Sequence, residues 1–185
     1  MKYRIINTDV LNYLHDKIKI GIFKKLNQSD LILYQTLYMD AKLMEYVGEV
    51  LNKSAAIKYF DLTLKYMSKE PPTMILYVIR ENNNNRRIGV VGIRWDQKTR
   101  DSVEIGVIVK SVEQRKGYAH DAKQCLMKYA FKYFQLNSII AHCDDENAAA
   151  NLANEKLGFS KIKTFIGKRK CLTVKWQMNK EWMFS

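Results

Sequence analysis

Proline is nearly missing from this 185-residue chain: only two occur, side by side at Pro71 and Pro72. Glycine is sparse as well, and no stretch has the Pro-, Gly- or Ser-rich composition of a linker, which excludes an obvious two-domain division. Cysteine is scarce. Cys125, Cys143 and Cys171 are odd in number and scattered, which excludes an even disulfide framework and matches no metal spacing. A reducing cytoplasm is the natural setting. No apolar run approaches the ~18 residues that a membrane-spanning helix needs; the best is residues 74–79. Residues 1–20 mix charge with hydrophobes and contain no signal-peptide core.

Carboxylates are in short supply too. Nineteen acidic residues face 31 basic ones, for a formal charge of +12. Such a field favours anionic partners, from nucleic acid to a phosphorylated cofactor. The lysines, however, are spread over the whole length. No element interleaves aromatic and basic residues, so a solvated surface explains the charge better than a nucleic-acid reading motif. Against these absences, 47% of residues are apolar, enough for one sizeable core. The chain therefore reads as one domain over residues 1–185, with residues 1–16 an extension of no assigned role.

Local patterns order the elements. Ile18, Ile20 and Ile22 alternate with polar neighbours and predict a half-buried strand. Helical stretches follow from Ser29-Asp30 to about Tyr38, over residues 43–47, and from a cap at Ser54 to about Ser68. Residues 74–80, 88–95 and 103–109 read as strands, the first two joined by a turn at Asn82 to Asn85. Over residues 118–134, Ala119, Ala122, Leu126, Tyr129 or Ala130, and Tyr133 recur at helical spacing as an apolar face. His120, Asp121, Lys123, Gln124, Lys128 and Lys132 fall on the other faces. Residues 138–143 make a short strand, and 148–157 a short helix closed by Gly158. The strict alternation of Leu172, Val174, Trp176 and Met178 predicts a last strand with one buried face. Adjacent strand runs imply antiparallel pairing, and the strand–helix–strand unit over 103–143 implies a parallel crossover. A mixed sheet with helices on both sides satisfies both.

One segment carries chemistry. A strand runs into Gln114-Arg115-Lys116-Gly117-Tyr118-Ala119, and this loop opens the long helix. The first turn of a helix leaves amide groups unpaired and places positive potential there, which suits a phosphate. Gly117 lets backbone approach a diphosphate, Ala119 keeps the next position small, and Arg115 and Lys116 add charge. His120 fits a phosphate contact and a solvated helix-start histidine equally well.

About 30 residues further on stands Glu146-Asn147, followed by Glu155-Lys156-Leu157-Gly158-Phe159. With the Gln-x-x-Gly-x-Ala loop, this resembles the GNAT superfamily of N-acetyltransferases. Tyr38-Met39-Asp40, Glu45-Tyr46-Val47 and Val103-Glu104-Ile105-Gly106 resemble its RimJ/RimL-like branch of ribosomal-protein N-terminal acetyltransferases. The likeness extends over residues 18–178. It implies an α/β (α+β) fold with a mixed, twisted sheet of about six or seven strands and a splay between the fourth and fifth. It also implies acetyl-CoA as cosubstrate without a metal, a cytoplasmic location, an amine-bearing acceptor and a homodimer as an open option. The pantetheine arm would pair with main-chain groups of Ile108 and Val109. The diphosphate would sit on residues 115–120, preceded by Gln114. Asn147 would touch the cofactor arm, with Lys156 nearby.

For acetyl transfer, an amide near Ile108 would polarise the thioester carbonyl, and Glu104 is the candidate base. The leaving thiolate calls for an acid or hydrogen-bond donor. The RimJ-like branch often has serine where this chain has Ala150, and many relatives have tyrosine where it has Asn154. Asn154 can donate a hydrogen bond to sulfur but not a proton. These departures leave open a second reading, a CoA-binding regulatory or interaction module. A protein N-terminal amine is the first choice of acceptor; polyamines, aminoglycosides and other small amines stay open.

Overall fold

The computed structural model describes residues 10–11, 23–81, 84–96, 98–167 and 169–183, with side chains from Lys25 to Glu181. The strand expected through Ile18, Ile20 and Ile22, the extension over 1–16 apart from residues 10–11, and the side chain of Trp182 lie outside the described residues.

Among the described residues, eight strands form one sheet. In chain order they are β1 (Val10–Leu11), β2 (Phe23–Lys25), β3 (Met74–Arg80), β4 (Arg87–Trp95), β5 (Ser102–Val109), β6 (Ser138–Asp144), β7 (Ser160–Ile166) and β8 (Leu172–Asn179). Their spatial order is β1-β2-β3-β4-β5-β6-β8-β7, antiparallel throughout except for the parallel pair β5–β6. The sheet is wider than the sequence predicts because the two-residue β1 and the edge strand β7 both go unread; β7 is the longer of the two. Its residues are almost all exposed along the far edge, so burial imposed no apolar alternation.

Three helices cover one face: α1 (Leu31–Tyr38), α2 (Ala41–Met44) and α3 (Lys53–Met67). Leu33, Leu37 and Phe60 pack there against Val78 and Val90, and the Tyr34 ring meets Phe60 edge-on at 5.3 Å. The 3-10 turn Gln28–Asp30 that leads into α1 is fixed by a capping box, in which Asn27 and Asp30 bond reciprocally to each other's amides. Buried Asp30 also pairs with Arg87 of β4 at 3.3 Å, tying helix to sheet.

The cap of α3 is a correction. Asn52, not Ser54, accepts the Ala55 amide at 2.9 Å, and Ser54 already lies inside the helix. Asn52→Ala is therefore expected to lower stability by about 1 kcal/mol in urea unfolding, and Ser54→Ala by roughly half that at most. Equal losses would put the cap at Ser54.

The other face carries α4 (Tyr118–Tyr133) and α5 (Ala148–Lys156), with α6 (Lys180–Met183) after β8. Ala122, Leu126, Tyr129 and Ala130 of α4 are buried against Val103, Ile105, Ile139 and Trp176, and Trp95 meets Phe134 edge-on at 5.2 Å. The expected polar face of α4 has one exception: Lys123 is 7% exposed and lies in the core. It sits four residues after Ala119 and three before Leu126, which is apolar-face spacing. Gly158, with φ +85°, ends α5 in the left-handed region.

Candidate active site

The central feature is a split in the sheet. β5 and β6 pair only through Ser102–Ser138, Val103–Ile139 and Glu104–Ile140. Beyond that point β5 stays paired with β4 up to Val109, and β6 stays paired with β8 up to Asp144. The two strands thus keep their outer partners and lose each other, opening a V between them.

The ladder decides which groups face the V. The Asp96 amide donates to Ser102 O at 3.0 Å, and that of Lys110 to Ile88 O at 2.9 Å. Hydrogen-bonded pairs alternate along an antiparallel ladder. In this unbroken register the main-chain groups of Glu104, Gly106 and Ile108 therefore turn to β4, and those of Ile105, Val107 and Val109 turn to β6. The main-chain groups of Val109 face the opening. Ile108 is corrected: its amide is spent on β4, and Val107 takes its place on the gap.

The mouth of the V is the loop between β5 and α4. A 3-10 turn, Ser111–Glu113, is bonded through the Ser111 hydroxyl to Asp40 at 2.7 Å. Buried Glu113 accepts from Arg86 and, at 2.9 Å, from Lys116 Nζ, which in that order of strength hold its carboxyl down to about 2. Tyr118 is buried and donates its hydroxyl to Glu81. These anchors leave the backbone of the loop outside them. Arg115 at φ +62° and Gly117 at φ +89° alternate with ordinary residues and form a concave turn of the kind that points successive amides one way.

The first bond of α4 runs from the Asp121 amide to Gly117 O at 3.1 Å. Among the described residues, the amides of Arg115, Lys116, Gly117, Tyr118, Ala119 and His120 have no acceptor. The Gln114 amide is in use, with Ser111 O at 3.4 Å. A Cβ built on Gly117 would meet no protein atom within 4 Å, so the hollow is open. One side-chain expectation changes here: Lys116 is engaged by Glu113 rather than free. Tyr118 can offer a ligand its amide but not its ring. Arg115 is exposed, and Gln114 with it.

On the face of the sheet turned away from α4, the apex of the V holds a polar cluster. Glu104 accepts from Arg94 on β4, and its other oxygen lies 3.1 Å from His142 Nδ1 on β6. Burial opposes the charge on Glu104, but the hydrogen bonds of His142 and Arg94 outweigh it and hold the carboxyl down to about 2. A carboxylate that acidic is a weak base, which corrects the role given to Glu104. A carboxylate on Nδ1 makes that nitrogen the donor and leaves Nε2 as the lone-pair nitrogen. Gly106, two residues along the same face as Glu104, would carry a Cβ into open space. One wall beyond is the β7–β8 turn, where Arg169 donates to Glu45 O at 2.6 Å and pairs with Asp144 at 3.6 Å.

On the α4 side, Asn154 is 1% exposed. Its Nδ2 donates to Cys143 Sγ at 3.0 Å, and its Oδ1 accepts from Lys123 Nζ. Asn147 caps α5, its Oδ1 accepting the Ala150 amide at 3.0 Å, and its Nδ2 is the side-chain donor left for a ligand. Lys156 is exposed on the last turn of α5. Of the residues the sequence proposed, the loop amides, Val109, Glu104 and Asn154 are brought to the V. His142 and Lys123 were missed. Nothing in the sequence pairs His142 with Glu104 across two strands, whereas the spacing of Lys123 within α4 was a usable signal.

Residues 22–160 match the family model described as acetyltransferase (GNAT) domain. Over 114 residues the chain is 28% identical to YjdG of Bacillus subtilis (strain 168), an uncharacterized N-acetyltransferase. That stretch covers 62% of this chain and 60% of YjdG, so the chain spans less than two thirds of this relative's length. A spermidine N-acetyltransferase from Vibrio cholerae, solved with CoA and spermine, superposes with a TM-score of 0.77 at 20% identity, covering 90% of this chain and 99% of that one. RimL, a ribosomal L7/L12 α-N-protein acetyltransferase solved with CoA, gives 0.74 at 14% identity over 85% and 93% of the two chains. At such identities these structures share a fold with this one.

Proposed function

Because the chain belongs to the GNAT acetyltransferase family, we propose that it transfers the acetyl group of acetyl-CoA to a primary amine. The observation that carries this reading is the split between β5 and β6, ending at six consecutive unpaired amides where α4 begins. Those amides, at the positive end of a helix dipole, suit the linked phosphates of CoA. The free main-chain groups of Val107 and Val109 suit the amide-bearing pantetheine arm, much as a strand would pair there. Seated in this way, the thioester carbonyl lies within the V, and a gap-facing amide stabilises the negative charge that builds on its oxygen.

The acceptor enters on the face of Glu104 and His142. Its nitrogen attacks the carbonyl carbon, the C–S bond breaks, and the surplus proton on nitrogen passes to His142 Nε2. Glu104 does not take that proton. It holds the imidazole in the tautomer that can, and stabilises the imidazolium that results.

A protein N-terminal α-amine is our preferred acceptor. At neutral pH an α-amine needs only about 1 to 1.5 kcal/mol to lose its proton, against roughly 4 to 5 for a lysine-type amine. The charge of +12 also disfavours long-range attraction of a polycation. Free-thiol release from acetyl-CoA, measured with a free-N-terminal peptide, an N-blocked lysine peptide, spermidine and an aminoglycoside, tests both levels. Fastest release with the free α-amine is the expected result, and faster release with spermidine would reassign the acceptor. Tight CoA binding with no release on any amine would make the protein a binding module instead.

A further inference from the structure

The reaction proposed above gives His142 and Glu104 to the amine and leaves the sulfur without a partner, while the core holds a cation with no stated use. Lys123 is 7% exposed, and among the described residues no carboxylate pairs with it. Its contacts are Asn154 Oδ1 and the Phe159 ring, 5.2 Å from Nζ. A buried ammonium facing one amide oxygen and one ring is destabilising to the fold, and an apolar side chain of similar length would pack there without that penalty. An ammonium held in this way is poised for an anion.

Its surroundings say where that anion forms. Asn154 is almost fully buried and oriented by Lys123, and its Nδ2 ends on a sulfur, Cys143 Sγ. Cys143 belongs to the part of β6 that has already diverged from β5, three residues past the last shared pair. The chain Lys123–Asn154–Cys143 therefore runs from α4 through α5 to the wall of the V. Accepting a bond from an ammonium polarises the amide and strengthens the opposite N–H as a donor.

We infer that Lys123, acting through Asn154, supplies the positive charge that stabilises the thiolate expelled from the acetyl thioester in the gap between β5 and β6. This rests on the acetyl-transfer reading above. When the C–S bond breaks, its electron pair stays on sulfur. Asn154 Nδ2 turns its hydrogen bond toward that sulfur, and the thiolate takes a proton from water only after release. Lys123 keeps its own proton and is a positioning residue. Burial lowers its ammonium to about 8, opposed only by the neighbouring Cys143 thiol. The groups that face it are Asn154 of α5, Cys143 of β6 and the ring of Phe159, and none of them is a carboxylate.

The test reads the sulfur directly. CoA and desulfo-CoA are bound to the wild type and to Lys123→Met, and thiolate ultraviolet absorbance is titrated as the difference between the two complexes. That difference cancels the protein's own cysteines and tyrosines. In the wild type the bound thiol should ionise at least about tenfold more readily than free CoA, and in Lys123→Met that advantage should disappear. With acetyl-CoA, kcat should fall about 10- to 30-fold in Lys123→Met, with KM for acetyl-CoA little changed. The loss of wild-type activity above pH about 8 should be absent from the variant.

Folding is not the obstacle, because the substitution removes a buried charge. Between pH about 8 and 10.5 the unfolded wild type holds a proton that the folded form has released. Wild-type stability therefore rises with pH in that window, and that of Lys123→Met does not. Asn154→Asp, which pairs the ammonium but removes the N–H donor, should reproduce the sulfur and kcat effects. Equal ionisation of bound CoA in wild type and Lys123→Met would overturn the inference while leaving the acetyl-transfer reading intact. A wild type that fails to bind CoA would overturn both.

Discussion

Replacing Gly117 with aspartate is expected to weaken CoA binding by about two orders of magnitude, roughly 3 kcal/mol. Gly117 sits at φ +89° where the loop becomes α4, flanked by the unpaired amides of Arg115, Lys116, Tyr118, Ala119 and His120. A Cβ there meets no protein atom, so the fold does not oppose a side chain sterically. Aspartate also tolerates the left-handed region better than most residues. The loss then comes from a fixed negative charge and added bulk in the hollow that the diphosphate would fill. Gly117→Asn separates the two, since it adds nearly the same volume without the charge and should cost only about tenfold. Titration calorimetry with CoA at low and high salt measures both, and the gap between the variants should narrow as salt screens the charge. Unchanged affinity in the aspartate variant would remove the loop from the binding site.

The second large effect concerns the amine. His142→Gln is expected to lower kcat about 100-fold at pH 7, within the usual range for loss of a positioned base. The residual rate should climb steadily with pH, because the acceptor must then lose its proton unaided. Glu104→Gln should be milder, near tenfold, since a glutamine oxygen still accepts from Nδ1 but no longer stabilises the imidazolium. If Glu104 acts through His142, the double variant should be little worse than His142→Gln alone. Additive losses would mean that the carboxylate contacts the acceptor independently. Should His142→Gln keep the wild-type pH–rate profile, the amine is deprotonated elsewhere.

The proton assignment differs from the sequence-based one for a physical reason. On a strand next to a cofactor loop, a lone Glu104 looks like a base. In the folded protein it lies between Arg94 and His142, which favour its ionised form so strongly that its basicity is lost. Neither neighbour is close in sequence, and their meeting depends on the register of β4 with β5 and of β5 with β6. The Ile108 expectation failed by one residue on similar grounds. Strand alternation says which side chains share a face, but not which edge of the strand is already bonded.

Features encoded locally were legible. Gly117 ahead of Tyr118 marks the start of α4, Gly158 marks the end of α5, and the alternation from Leu172 to Met178 marks β8. Each rests on one residue's conformational preference or on a short period, and so survives without knowledge of the fold. β7 lacked such a signal because it is an exposed edge.

The sequence by itself therefore determined the order of the central elements from β3 to β6, the family resemblance and the loop whose free amides suit a phosphate, all consequences of neighbouring residues. Only the tertiary structure decided that β5 and β6 part after Glu104 and Ile140, that Val107 rather than Ile108 faces the opening, and that His142 and Lys123 stand on opposite faces of it. Those outcomes depend on pairings between segments dozens of residues apart. Such pairings are set by how the whole sheet packs against α4 on one face and α1 to α3 on the other.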